Sequence, residues 1–161
     1  MKMLAEDIKN GSFKSSYLLY GEEAYLRTQY KNRLKNALAD PSDTMNFSRF
    51  EGKGINPAEI ISLAETLPFF AERRLILIED SGFFKNKCDE VADYLPNMPD
   101  TSCLLFVETE VDKRIRLYKA VQKYGRAVEF STQDEKTLMT WVLSILEKKN
   151  KKSTRPDMEL A

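Results

Sequence analysis

The chain has 161 residues, 42% hydrophobic and 31% charged, with 25 Lys+Arg balanced by 25 Asp+Glu. That length fits one domain burying roughly 70% of its unfolded surface. Zero net charge rules out a polybasic nucleic-acid binder as the default reading, though not a local basic patch. No apolar run approaches the roughly 18–20 residues that span a bilayer, and Met1-Lys2-Met3-Leu4-Ala5-Glu6-Asp7 is too acidic for a signal peptide, so a cytoplasmic protein with no membrane role is expected. The chain contains no histidine, which removes Ser-His-Asp and Cys-His catalysis and the usual zinc sites. Cys88 and Cys103 both sit in apolar patterns and are expected to be reduced and structural, holding no metal.

Helix and strand alternate along the chain. Residues 2–10 predict a short helix that Asn10-Gly11 ends. The apolar, aromatic run Tyr17-Leu18-Leu19-Tyr20, stopped by Gly21, predicts a buried strand. Leu26, Tyr30, Leu34 and Leu38 then repeat at helical spacing until Asp40-Pro41. Met45 to Phe50 alternates imperfectly and reads as a strand at a sheet edge. Asn56-Pro57 starts a helix whose core face is Ile60, Ile61, Leu63, Ala64 and Leu67. Leu75 to Ile78 and Cys103 to Val107 are apolar on both faces, as central parallel strands require. Between them Cys88, Val91, Ala92 and Leu95 mark a helix stopped by Pro96 and Pro99. Val111, Ile115, Tyr118 and Val121 mark another, ended at Gly125, before a strand from Ala127 to Phe130. Thr132 and Glu135 form a capping box for a last helix carrying Leu138, Trp141, Val142 and Ile145. Five strands with intervening helices predict a three-layer α/β domain with a mostly parallel sheet over residues 1–146. Residues 147–161, basic from Lys148 to Pro156, read as a linker and the start of a truncated further domain.

Such a sheet binds ligands beyond the carboxyl ends of its strands. The first turn there runs from Gly21 to Thr28 and overlays the phosphate loop G-x-x-x-x-G-K-[ST], with Leu26 in place of the second glycine and Arg27 in place of the lysine. Glu22 and Glu23 stand where an anion would bind, each repulsion worth on the order of 1 kcal/mol at 4 Å in water. Leu75-Ile76-Leu77-Ile78-Glu79-Asp80 has the apolar-run-then-acid pattern of a Mg²⁺-holding strand, but with no phosphate loop the two acids read as solvated, with Asp80-Ser81-Gly82 as a turn. Two aromatic pairs remain. Phe69-Phe70 follows the Pro68-terminated helix and is either a plug for the core or an exposed anchor. Phe83-Phe84, flanked by Lys85 and Lys87, is the competing candidate for exposure.

Three segments together resemble the delta subunit family of bacterial DNA polymerase III: Tyr17-Leu18-Leu19-Tyr20-Gly21-Glu22-Glu23-Ala24-Tyr25-Leu26, Leu67 to Ile78, and Leu104 to Glu108 with Val111-Asp112-Lys113-Arg114. The resemblance runs to about Leu146. It implies an AAA+-like fold with a decayed nucleotide site at Gly21, Arg27 and Thr28, no cofactor, and no catalysis by this chain alone. It implies a partner, the ring-shaped sliding clamp (beta subunit), bound through Leu67, Pro68, Phe69 and Phe70. The family's lid and collar domains, through which it joins the other loader subunits and reaches DNA indirectly, would follow residue 145 or so. The alternative is a nucleotide-dependent ATPase using Gly21, Arg27, Thr28, Glu79 and Asp80.

Overall fold

The computed structural model describes residues 2–40 and 45–131. The expected final helix with Leu138, Trp141, Val142 and Ile145, the basic segment from Lys148 and the boundary near residue 146 lie outside the described residues. The elements are α1 (Lys2–Asn10), β1 (Ser16–Tyr20), α2 (Ala24–Leu38), β2 (Phe47–Glu51), α3 (Pro57–Ala64), β3 (Arg74–Glu79), α4 (Asp89–Tyr94) with a single 3₁₀ turn at Leu95–Asn97, β4 (Ser102–Glu108), α5 (Arg116–Tyr124) and β5 (Arg126–Glu129).

The five strands form one sheet in the order β2-β3-β4-β1-β5, and every neighbouring pair is parallel. The burial of β1, β3 and β4 explains their composition. All five residues of β1 and all seven of β4 are buried, so each strand needs apolar side chains on both faces. Alternation sends Leu18, Tyr20, Ile76, Ile78, Leu104 and Phe106 into one core with α3, α4 and α5. Tyr17, Leu19, Leu75, Leu77, Cys103 and Leu105 face the opposite side, where Tyr17 meets Asp7 of α1 and α1 packs on α2. The expected edge strand is β2, with Phe47, Ser48 and Phe50 half-buried and Arg49 and Glu51 exposed.

Three local expectations change. The third helix ends at Ala64 rather than Leu67, because Pro68 has no N–H to give the Ala64 carbonyl, which accepts from Ser102 Oγ at 2.6 Å instead of continuing the helical ladder. The helix expected from Val111 begins at Arg116. Ahead of it Asp112 N donates to Phe84 O at 2.8 Å, and the Asp112 carboxylate accepts from Arg114 N at 2.9 Å, which fixes a turn. Phe83 and Phe84 are core residues. Phe84 is fully buried and meets Phe106 edge-on at 5.0 Å. The flanking lysines misled because Asp80 and Gly82 adopt positive φ (51° and 79°) and turn the chain back under the sheet.

Candidate functional site

The segment between α3 and β3 presents apolar side chains to water. Leu67 is 69% exposed, Phe69 53% and Phe70 93%. Pro68 cannot donate to a helical ladder, so the chain leaves α3 in an open course. The two rings touch each other, with centroids 4.4 Å apart at an interplanar angle of 72°. Both rings of Phe69-Phe70 lie at the surface rather than inside the helix–sheet core.

Two buried polar side chains hold this segment in place. Asn46, 2% exposed, lies just before β2 and is tied to β3 by Leu75 N donating to its carbonyl at 2.9 Å. Its side-chain amide spans 23 residues to Phe69: Nδ2 donates to Phe69 O at 2.7 Å, and Oδ1 accepts from Phe69 N at 2.5 Å. Arg74, 7% exposed at the start of β3, donates from Nε to Thr66 O at 3.1 Å, from Nη2 to Leu67 O at 3.3 Å and from Nη1 to Met45 O at 3.2 Å. A buried guanidinium is tolerable when its nitrogens find acceptors, and here each of the three donates to a carbonyl, joining the start of the segment to the residue before Asn46. Phe70 has φ 53°, a left-handed backbone that costs a non-glycine residue about 1–3 kcal/mol unless its surroundings fix it. Sequence reading missed Asn46 and Arg74. The available signal was Arg74 itself, a charge at the head of a fully apolar central strand, which demands partners.

The Gly21–Thr28 turn lies at the opposite end of the strands. Gly21 has φ 120°, and a Cβ there would lie 2.3 Å from the Phe130 carbonyl oxygen, so glycine serves a close backbone approach. Phe130 N donates to Tyr20 O at 2.7 Å and Glu23 N donates to Phe130 O at 3.1 Å. The Arg27 guanidinium donates to Gly21 O. Glu23 N and the Arg27 guanidinium, two groups that would greet a phosphate, are thus engaged with protein atoms, and Thr28 is exposed. Glu51, Glu79, Glu108 and Glu129 end β2, β3, β4 and β5, while Glu22 and Glu23 follow β1, so a carboxylate closes or follows each strand.

Glu79 and Asp80 divide. Asp80 is exposed, but Glu79 is not the solvated acid expected: it accepts from Arg49 Nε at 2.8 Å and Lys31 Nζ at 3.3 Å. Burial alone would raise its pKa; the Arg49 and Lys31 contacts outweigh it and hold the carboxyl below its ordinary range. β4 lies between β1 and β3, so the turn at Gly21 and the acids at Glu79-Asp80 stand at the same carboxyl end of the sheet, two strand spacings apart. The expected Asp80-Ser81-Gly82 turn is organised by Glu108, which is 2% exposed and accepts from Ser81 N (3.0 Å), Ser81 Oγ (3.2 Å) and Gly82 N (3.0 Å). Burial pushes its pKa up despite those donors. Cys88 and Cys103 are free and buried, and burial pushes the Cys103 thiol up to about 12. Among the described residues no helix is long and apolar enough to cross a membrane.

A family model described as DNA polymerase III, delta subunit, matches residues 17–131. The DNA polymerase III subunit delta of Bacillus subtilis is 26% identical over 158 residues, covering 91% of this chain and 46% of the relative. A solved structure of a Bacillus subtilis DNA clamp loader delta protein superposes with a TM-score of 0.76 at 22% identity, covering 92% of this chain and 47% of that one. A DNA polymerase III gamma subunit-related protein of Thermotoga maritima gives 0.57 at 14% identity, covering 80% and 45%. The chain spans about half the length of these relatives. The structural likenesses establish the fold as an AAA+-like three-layer α/β domain.

Proposed function

Because the chain belongs to the DNA polymerase III delta subunit family, we propose that it binds the ring-shaped DNA sliding clamp through Leu67, Pro68, Phe69 and Phe70 and helps to open the ring during replication, without hydrolysing ATP itself. The observation that carries this reading is the exposure of three apolar side chains on a segment fixed from beneath by Asn46 and Arg74. A pair of aromatic rings in water is costly to keep unless a partner covers them: each phenylalanine buries about 150–250 Å² in an interface. Anchors of this kind, inserted in a partner's pocket, commonly contribute 2 kcal/mol or more each. Opening follows from binding when the anchors fit the open ring better than the closed one, since a ligand shifts an equilibrium only by its differential affinity.

The ATPase reading is disfavoured by the same sheet edge that suggested it. Arg27 is spent on Gly21 O, Glu23 N on Phe130 O, and Glu79 on Lys31 and Arg49. A polyphosphate arriving there would meet a row of carboxylates and a turn with few amides to offer. Contacts with other loader subunits, and through them with DNA, belong to the same proposal for the whole cytoplasmic assembly. The test is an equilibrium titration of the chain with the cognate clamp, with and without ATP–Mg²⁺. Saturable binding of equal affinity in both buffers is expected. No binding, or binding that requires ATP, would overturn the reading.

A further inference from the structure

We propose that Asn46 is a positioning residue for clamp binding, one that sets the conformation of the Phe69-Phe70 anchor without touching the clamp. The inference rests on the clamp-binding reading of that segment and adds how the segment is kept ready. Asn46 is buried, yet its amide engages both backbone groups of a single residue, Phe69, as donor to the carbonyl and acceptor from the N–H. This is the two-point pairing a neighbouring β-strand residue would offer, supplied here by a side chain. It does two things at once. It fills backbone groups that the proline-interrupted segment cannot pair within a helix, and it fixes the peptide plane immediately before Phe70. Phe70 then adopts its left-handed φ of 53° and holds its ring 93% exposed against the ring of Phe69. Two adjacent aromatic side chains on a free loop would turn inward or collapse on each other's faces. Here the edge-on ring pair stands on a peptide that cannot rotate while Asn46 grips it.

Arg74 supports the same frame from the other side by gathering Thr66 O, Leu67 O and Met45 O. Its Met45 contact links the residue preceding Asn46 to the residues preceding Phe69, so the two polar side chains brace one loop against one strand start. Asn46 is the more specific of the two, because it alone contacts the anchor residue itself. An aspartate would keep the acceptor for Phe69 N and lose the donor to Phe69 O; alanine would lose both.

Preorganisation has a defined signature. If the competent fraction of the loop falls to about one-tenth, the apparent Kd rises about tenfold, and the loss falls largely on the association rate. The experiment measures binding kinetics of the full chain with the cognate clamp for the natural sequence, Asn46→Ala, Asn46→Asp, Phe70→Ala and the Asn46→Ala/Phe70→Ala pair, alongside amide hydrogen exchange of the unbound chain. Asn46→Ala is expected to weaken binding about tenfold through slower association, with Asn46→Asp between it and the natural chain. In the Phe70→Ala background, Asn46→Ala should add clearly less than the full tenfold loss, because one of the two positioned rings is gone. In the natural chain the Phe69 amide should be protected from exchange although its ring is half-exposed.

A full tenfold loss persisting in the Phe70→Ala background would mark Asn46 as a structural residue and overturn the inference. So would unchanged clamp affinity in Asn46→Ala while Phe70→Ala binds weakly. Rapid exchange of the Phe69 amide would overturn it without any variant, even were the Asn46 substitutions to unfold the chain. Undiminished binding by Phe70→Ala would instead remove the anchor reading on which the inference stands.

Discussion

The two aromatic pairs, alike in sequence, should respond oppositely to truncation in the free protein. Phe84 is fully buried with its ring edge-on to Phe106 at 5.0 Å. Phe84→Ala therefore removes a complete core ring and leaves a cavity, at a cost of about 3–5 kcal/mol. A domain of this size has roughly 5–15 kcal/mol in total, so the variant should stay folded near 20 °C but melt well below the natural chain. At about 2–4 °C per kcal/mol, the shift is roughly 6–20 °C. Phe70 is 93% exposed, and its ring meets mainly the ring of Phe69. Phe70→Ala should then change stability by no more than about 0.5 kcal/mol, or 1–2 °C. The assay is thermal and urea denaturation of both variants by circular dichroism, with equal m-values as the check that the unfolding transition is the same. A Phe70→Ala cost of several kcal/mol, or a Phe84→Ala variant as stable as the natural chain, would refute the burial assignment that separates anchor from core.

Two further expectations concern nucleotide and pH. Millimolar ATP–Mg²⁺ should leave the melting temperature unchanged, whereas a site saturated at 100 times its Kd would add about 2.7 kcal/mol; a shift abolished by Thr28→Ala would show a working phosphate turn at Gly21. Asp7, buried between Arg126 and Tyr17, ties α1 to β1 and β5. Burial alone would raise its pKa, but the Arg126 and Tyr17 hydrogen bonds outweigh it and lower the value from 3.8. A depressed carboxyl adds stability above its unfolded pKa and loses it as pH falls through the folded one. Acid titration of stability should therefore be shallower below pH ~4 in Asp7→Asn than in the natural chain, and the variant should be about 1–3 kcal/mol less stable at pH 7. Parallel pH profiles would contradict that role.

What the sequence made legible follows from periodicity. Strands buried on both faces, such as Leu75–Ile78 and Cys103–Val107, announce themselves because nothing but apolar residues fits there. The elements misjudged depend on partners far along the chain. The Ala64 carbonyl at the end of α3 is taken by Ser102, 38 residues on, and the burial of Phe83-Phe84 depends on a turn that Glu108 of β4 organises. Glu79 looked solvated because its partners, Lys31 and Arg49, lie on other elements. The site divides in the same way. Pro68 and the aromatic pair are visible in the sequence, whereas the contact of Asn46, whose amide reaches Phe69 across 23 residues, is not. Side-chain to backbone contacts over such separations leave no periodic trace.

The most direct test of the central claim is the clamp affinity of Phe69→Ala/Phe70→Ala set against that of the natural chain, both shown to be folded by their melting curves. Loss of two neighbouring anchors, each worth about 2 kcal/mol or more but not additive, predicts a Kd raised on the order of a hundredfold or more, with the variant still cooperatively folded. A folded variant that binds the clamp as tightly as the natural chain would contradict the account.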